Sequence, residues 1–277
     1  MKKILVPTDC SDLSDYALNL ANTVARHTKA QIYALKVVSV PGEALFDDQG
    51  ELIDSGNFDI SVLEAEKEKN IGQIKTWAEQ SDLPVQTVVK VGHLQDQLLR
   101  FISREQIDLV VMGTHGASGI KDLIGGSVAE RLVKDVSIPV LTLKCDRSEM
   151  HIQDIILASH FEQVSPGKME AVKQIQKAFG AKLHLLKVNT PKDFVNTRDL
   201  LKQMEDFVEK NSLEDTDFSV YCAEDVVEGI TNFAEDQGID LIAIATHGRS
   251  ALSRVVKKSI SKRLVNHVSH PILTFDI

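Results

Sequence analysis

Cysteine is scarce: three residues in 277, Cys10, Cys145 and Cys222, far apart and odd in number. That pattern excludes a disulfide framework or a CxxC metal knuckle and reads as reduced thiols. Long apolar runs are missing too. None approaches the roughly 18 residues that a membrane span requires, so no membrane attachment is expected. The opening MKKILVPTDCSD has the paired lysines of a secretory leader. Its apolar stretch ends at Pro7 after only Ile4, Leu5 and Val6, too short for such a leader, so a cytoplasmic location is expected. Basic charge is in deficit, with 31 Lys and Arg against 40 Asp and Glu, a net charge of -9. A nucleic-acid binder would need a basic face for phosphates, and none is expected here. A small anionic ligand is not excluded, because backbone N–H groups gathered in a loop outweigh global charge locally. The sequence also has no GxxxxGK[ST] phosphate loop and no GxGxxG after its first apolar run.

What the chain does have is a repeat. KILVPTD (3–9) matches DIILASH (154–160), and AQIYALKVV (30–38) matches AKLHLLKVN (181–189), both at an offset of 151 residues. IDLVVMGTHGASG (107–119) matches IDLIAIATHGRSA (239–251), and SVAERLVKDVSIPVLTLK (127–144) matches SISKRLVNHVSHPILTFD (259–276), at an offset of 132. The difference falls in the polar, acidic segment PGEALFDDQGELIDSGNFDI (41–60), whose place in the second half is taken by the shorter TPKDFVNTRDL. One domain has therefore been duplicated. The expected boundaries are 1–146 and 147–277.

Each half alternates short Val/Ile/Leu runs with amphipathic helical spacing. In the first half, strands are expected at KILVPT, QIYALKVV, VQTVVKV, LVVMG and PVLTLK. Helices are expected at 11–28, with Ser11 or Asp12 as N-cap, at 61–81, at LQDQLLRFISREQ and at SVAERLVKDV. This predicts two tandem doubly wound α/β domains, each a five-stranded, mainly parallel sheet with helices on both faces. The charge run LEAEKEKN (63–70) reads as a solvated helical face. The 41–60 segment reads either as a lid or as a disordered loop.

Chemistry concentrates in VMGTHGASGIKDLIGGSVAERL (111–132). Such loops leave the carboxyl ends of core strands, where doubly wound folds bind ligands. Gly113 and Gly116 spare side chains where a ligand lies against backbone, and Gly126-Ser127 opens a helix whose N–H groups favour an anion. His115 and His247 occupy matching loop positions, and His160 would neighbour His247. Two histidines are too few for a zinc site, so loop hydrogen bonds are the better reading. Lys121 and Arg131 read as solvated, and Cys10 as a small residue packed beneath the first helix.

The combination of MGTHG after a buried strand with GSVAERL beyond it resembles the universal stress protein family. The nucleotide-binding pattern G-x2-G-x9-G-[ST] is met by Gly113, Gly116, Gly126 and Ser127, and the resemblance covers both halves. It implies a Rossmann-like, adenine-nucleotide alpha hydrolase-like fold and an ATP-type nucleotide, with Mg or Mn, in the first half. The implied contacts are Pro7, Thr8, Asp9, Val37, Met112, Gly113, His115, Gly116, Gly126, Ser127 and Val128. The family pattern further implies pairing of PVLTLK with PILTF, an intrachain pseudo-dimer, with a homodimer as a further expectation. In the second half Gly113 becomes Ala245, Gly126 becomes Lys258 and Asp9 becomes His160, a degenerate motif. Three functional readings follow: a stress-response module that holds ATP, a slow ATPase or self-phosphorylating protein, and a nucleotide-free scaffold. With no general base, arginine finger or phosphate-loop lysine in view, dedicated catalysis is not expected.

Overall fold

The computed structural model describes residues 1–40, 44–47, 52–54, 59–114, 128–146, 150–161, 167–246, 263–264 and 268–276. By its internal contacts the chain divides into two compact units. One is Met1–Ile138 with Cys145–Ser148, and the other is Pro139–Lys144 with Glu149–Ile277.

In the first unit, β1 (Lys3–Pro7) lies between β2 (Gln31–Val38) and β6 (Leu109–Gly113), and β5 (Val85–Val91) borders β2. All these pairings are parallel. Ile4, Leu5 and Val6 are fully buried, as a strand covered by helices on both faces must be. Helix α1 (Asp12–Thr28) begins at Ser11, whose hydroxyl accepts from the Ser14 N–H. Asp12 and Asp15 stand in its first turn and Arg26 and His27 in its last, both favoured by the helix dipole. Its stripe of Ala17, Leu18, Leu20, Ala21 and Val24 is buried. Helices α2 (Ile60–Ala78), α3 (Leu94–Glu105) and α4 (Val128–Asp135) follow where the apolar spacing places them.

The 41–60 segment contains an element that the sequence reading lacked. Leu45–Phe46 (β3) and Leu52–Asp54 (β4) pair antiparallel. Phe46 packs edge-on to His93 at 6.0 Å between ring centroids, and Arg100 donates to the Asp47 carbonyl at 3.1 Å.

The second unit repeats the plan. β8 (Asp154–Ala158) lies between β9 (Lys182–Asn189) and β11 (Leu241–Thr246), with β10 (Thr216–Cys222) outside β9 and β12 (Ile272–Asp276) outside β11, all parallel. Helices α5 (Glu170–Phe179), α6 (Thr197–Asn211) and α7 (Val226–Gln237) accompany them. β7 (Val140–Leu143) joins this unit antiparallel to β12, in the register Ile272↔Thr142, Leu273↔Leu141 and Thr274↔Val140. The two threonines are counterparts in the repeat, and each donates its buried hydroxyl across the pair. Thr142 reaches the Ile272 carbonyl at 3.3 Å, and Thr274 reaches the Val140 carbonyl at 3.1 Å. The expected pairing of PVLTLK with PILTF is thus present.

One clamp recurs at the amino ends of the first strands. Asp108 accepts from the N–H groups of Lys2 and Lys3, and Asp240 accepts from those of Gln153 and Asp154. The duplicated Ile-Asp-Leu triplet thus ties each fourth strand to the start of its first.

Candidate functional site

The strand order β6-β1-β2-β5 puts the reversal of winding between β1 and β6. Ligands of doubly wound folds bind at the carboxyl ends of strands flanking such a reversal. There, Pro7, Asp9, Val37 and Gly113 stand at the ends of three neighbouring strands.

The turn after β1 is tightly built. Buried Thr8 accepts the Cys10 N–H on its hydroxyl at 2.9 Å, a hydroxyl-closed turn that places Cys10 at φ 65°. Asp9 is exposed, and its Oδ1 accepts from the Ser14 hydroxyl at 2.9 Å and the Ser11 N–H at 3.1 Å. Asp9 therefore shapes the entry to α1, whatever else it contacts. Lys36, which the sequence reading passed over, donates to the Asp9 carbonyl at 3.2 Å and to Gln73 Oε1 at 3.0 Å, and lies 3.4 Å from Cys10 Sγ. Val37 is half-buried and Met112 buried.

Gly113 has a structural reason for its missing side chain. A Cβ there would stand 2.3 Å from Leu13 Cγ, so α1 approaches β6 closely only because residue 113 is glycine. Val128, half-buried, opens α4. His115, Gly116, Lys121, Gly126 and Ser127 lie outside the described residues, as do His247 and Lys258 of the second half.

The second unit keeps the turn and changes the charges. Ser159 accepts the Phe161 N–H at 3.2 Å, and Phe161 takes φ 55°, matching Thr8 and Cys10. At the carboxyl ends of β8, β9 and β11, against α7, a cleft opens whose walls are Ala158, Leu186, Val188, Val226, Ile230 and Ile244. Its polar lining includes Ser159, His160 and Lys187. By the repeat offsets, Ala158, Ser159, His160, Val188, Ile244 and Ala245 are the counterparts of Pro7, Thr8, Asp9, Val37, Met112 and Gly113.

Lys187, the counterpart of Lys36, is buried at 4 % exposure. Its ammonium pairs with Asp193 at 2.5 Å and lies 3.2 Å from His160 Nδ1. Asp193 is held in a turn of its own. It bridges to Thr190, and the buried Asn189 side chain exchanges two hydrogen bonds with the Val195 backbone, at 2.9 Å and 3.2 Å. Among the described residues, no group of three or more His, Cys, Asp or Glu is arranged to hold a metal. No described helix is long and apolar enough to cross a membrane. A lysine repeated inside two buried strands, in LKVV and LKVN, was the signal for this cluster.

These features define a tandem doubly wound α/β protein. The model of the universal stress protein family matches residues 1–144 and 168–275, and the chain belongs to that family. It is similar to universal stress protein MJ0531 of Methanocaldococcus jannaschii, 33% identical over 150 residues, covering 53% of this chain and 85% of that protein. It is also similar to universal stress protein MJ0577 of the same organism, 28% identical over 153 residues, covering 52% of this chain and 94% of that one. Among solved structures, a universal stress protein from Archaeoglobus fulgidus DSM 4304 superposes with a TM-score of 0.72 at 19% identity, over 99% of this chain and 96% of that one. At that identity the likeness speaks to the fold.

Proposed function

We propose that the first unit binds an adenine nucleotide, ATP with Mg or Mn, and that occupancy sets a conformation through which the protein acts in regulation or protection. The observation that carries this reading is the placement of Asp9, Val37 and Gly113 on neighbouring strand ends at the reversal of winding. The exposed Asp9 carboxylate suits ribose or base hydroxyl and amino donors, and half-buried Val37 suits the flat face of a base. The phosphates and their cation would fall to Gly116, Gly126 and Ser127. In this reading those residues bind and orient, and any hydrolysis or self-phosphorylation is slow.

A nucleotide-free scaffold is the second reading, and the Gly113–Leu13 contact favours it, since packing alone accounts for that glycine. The test is to purify the chain without added nucleotide, denature it, and identify what is released by chromatography and mass spectrometry. About one equivalent of ATP or ADP per chain is the expected result. No released nucleotide, together with no rise in thermal midpoint on adding Mg-ATP, would overturn nucleotide binding and leave the scaffold.

A further inference from the structure

The cleft of the second unit pairs apolar walls with a cation that is almost wholly buried. Burying an ammonium is costly unless an anion stays in contact with it, so Lys187 always requires one negative charge beside it. Lys187 sits within β9 with its side chain only 5% exposed, and its ammonium faces the cleft. Asp193, which supplies the charge, is different: its side chain is 46% exposed, on a turn that leaves the strand. Release of Asp193 into water gives up its contacts with Lys187 and with His160 Nδ1 at 3.6 Å, and another anion on the ammonium would have to replace both.

We propose that this cleft is the site of a small organic monoanion with an apolar body, an aryl or alkyl carboxylate, and that Asp193 holds the anion position until such a ligand displaces it. The charge count sets the ligand class. Among the described residues, one buried ammonium with His160 beside it balances one negative charge, and a polyphosphate would bring several. The walls set the body: Leu186, Val188, Val226, Ile230 and Ile244 offer no hydrogen-bond donor or acceptor from their side chains. The turn also carries Phe194, 72% exposed and next to Asp193, an apolar surface ready to lie over a bound ligand. Asn189 gives the turn a fixed hinge through its two bonds to Val195, so that the carboxylate swings while its anchor stays. This assignment is independent of the nucleotide reading of the first unit.

The test uses the full chain and 4-fluorophenylacetate as probe, followed by fluorine NMR, with the neutral 4-fluorophenylacetamide alongside. The acid is expected to bind the native chain in preference to the amide. Asp193→Asn removes the resident anion, so the acid should bind it at least about ten-fold more tightly than it binds the native chain. The acid should also raise the thermal midpoint of that variant more than that of the native chain. Ile230→Trp, which fills the cleft and leaves the Lys187–Asp193 pair intact, should abolish binding. Equal binding of acid and amide by the native chain would overturn the anion assignment, even if Asp193→Asn failed to fold. No gain in the folded Asp193→Asn variant would overturn the displacement by Asp193. Unchanged binding to Ile230→Trp would move the probe out of the cleft and overturn the site itself.

Discussion

Lys36 and Lys187 occupy the same place in the two repeats, on the same strand and beside the same hydroxyl-closed turn, yet they live in different solvents. Lys36 is half-buried and leans on neutral partners, the Asp9 carbonyl, Gln73 and the Cys10 sulfur. Lys187 is sealed in, and the carboxylate of Asp193 completes it. Duplication preserved the backbone device, with Cys10 and Phe161 both at positive φ, and left the charges free to diverge. An exposed Asp9 stands in the first unit where His160 stands in the second. The lesson is that a retained turn does not imply a retained ligand.

The largest effect should come from breaking the buried pair from its exposed side. Asp193→Ala strands an ammonium in the interior and should cost about 3 kcal/mol, whereas Lys187→Met releases an aspartate that water can solvate and should cost well under half as much. Lys36→Met, with only neutral partners to lose, should cost about 1 kcal/mol or less. Urea denaturation of the three variants checks the order, and equal losses at Lys36 and Lys187 would erase the contrast.

A middle-sized effect is expected at Gly113. Adding a methyl there should cost about 1–3 kcal/mol by forcing Leu13 off its position. The second half carries Val164 and Ala245 at the positions of Leu13 and Gly113. Leu13→Val should therefore recover about 1 kcal/mol of the loss from Gly113→Ala, measured as a double-mutant cycle.

The smallest effect separates the helix entries. Asp225 caps α7, accepting from the N–H groups of Val227 and Glu228, whereas its counterpart His93 makes no side-chain cap on α3. Arg263 first, and then those N–H groups, hold the Asp225 carboxyl below the usual range. A carboxyl lowered in the folded state contributes stability above its unfolded pKa of about 3.9, and the contribution is lost as pH falls through the lowered value. Asp225→Ala should thus cost about 1 kcal/mol at neutral pH, with the difference from the native chain shrinking as pH drops below about 4. His93→Ala should show no such pH dependence in that range.

Most of the architecture was legible because it is written twice. Runs such as QIYALKVV and LVVMG became strands with the expected bounds, and Ser11 became the cap of α1. The β3–β4 pair was not legible. Strands of two and three residues carry no periodicity, and what anchors this one is Phe46 against His93, a contact between distant segments. Gly113 was read as room for a ligand, and the contact that also requires it comes from Leu13, 100 residues earlier. Lys187 escaped notice because its partner sits in 190–195, the one stretch where the repeats do not align.

The pairing of β7 with β12 has a consequence for the chain as it is made. Residues 140–143 leave the ribosome with a row of backbone groups and buried apolar side chains, but their antiparallel partner lies some 130 residues further on. At about 5–20 residues per second, that edge waits on the order of ten seconds for residues 272–276. Throughout that interval the VLTL strand is a sticky margin, open to the same strand of another nascent copy. Carrying both repeats on one chain sets a time limit on that exposure, because the proper partner is already tethered and on its way.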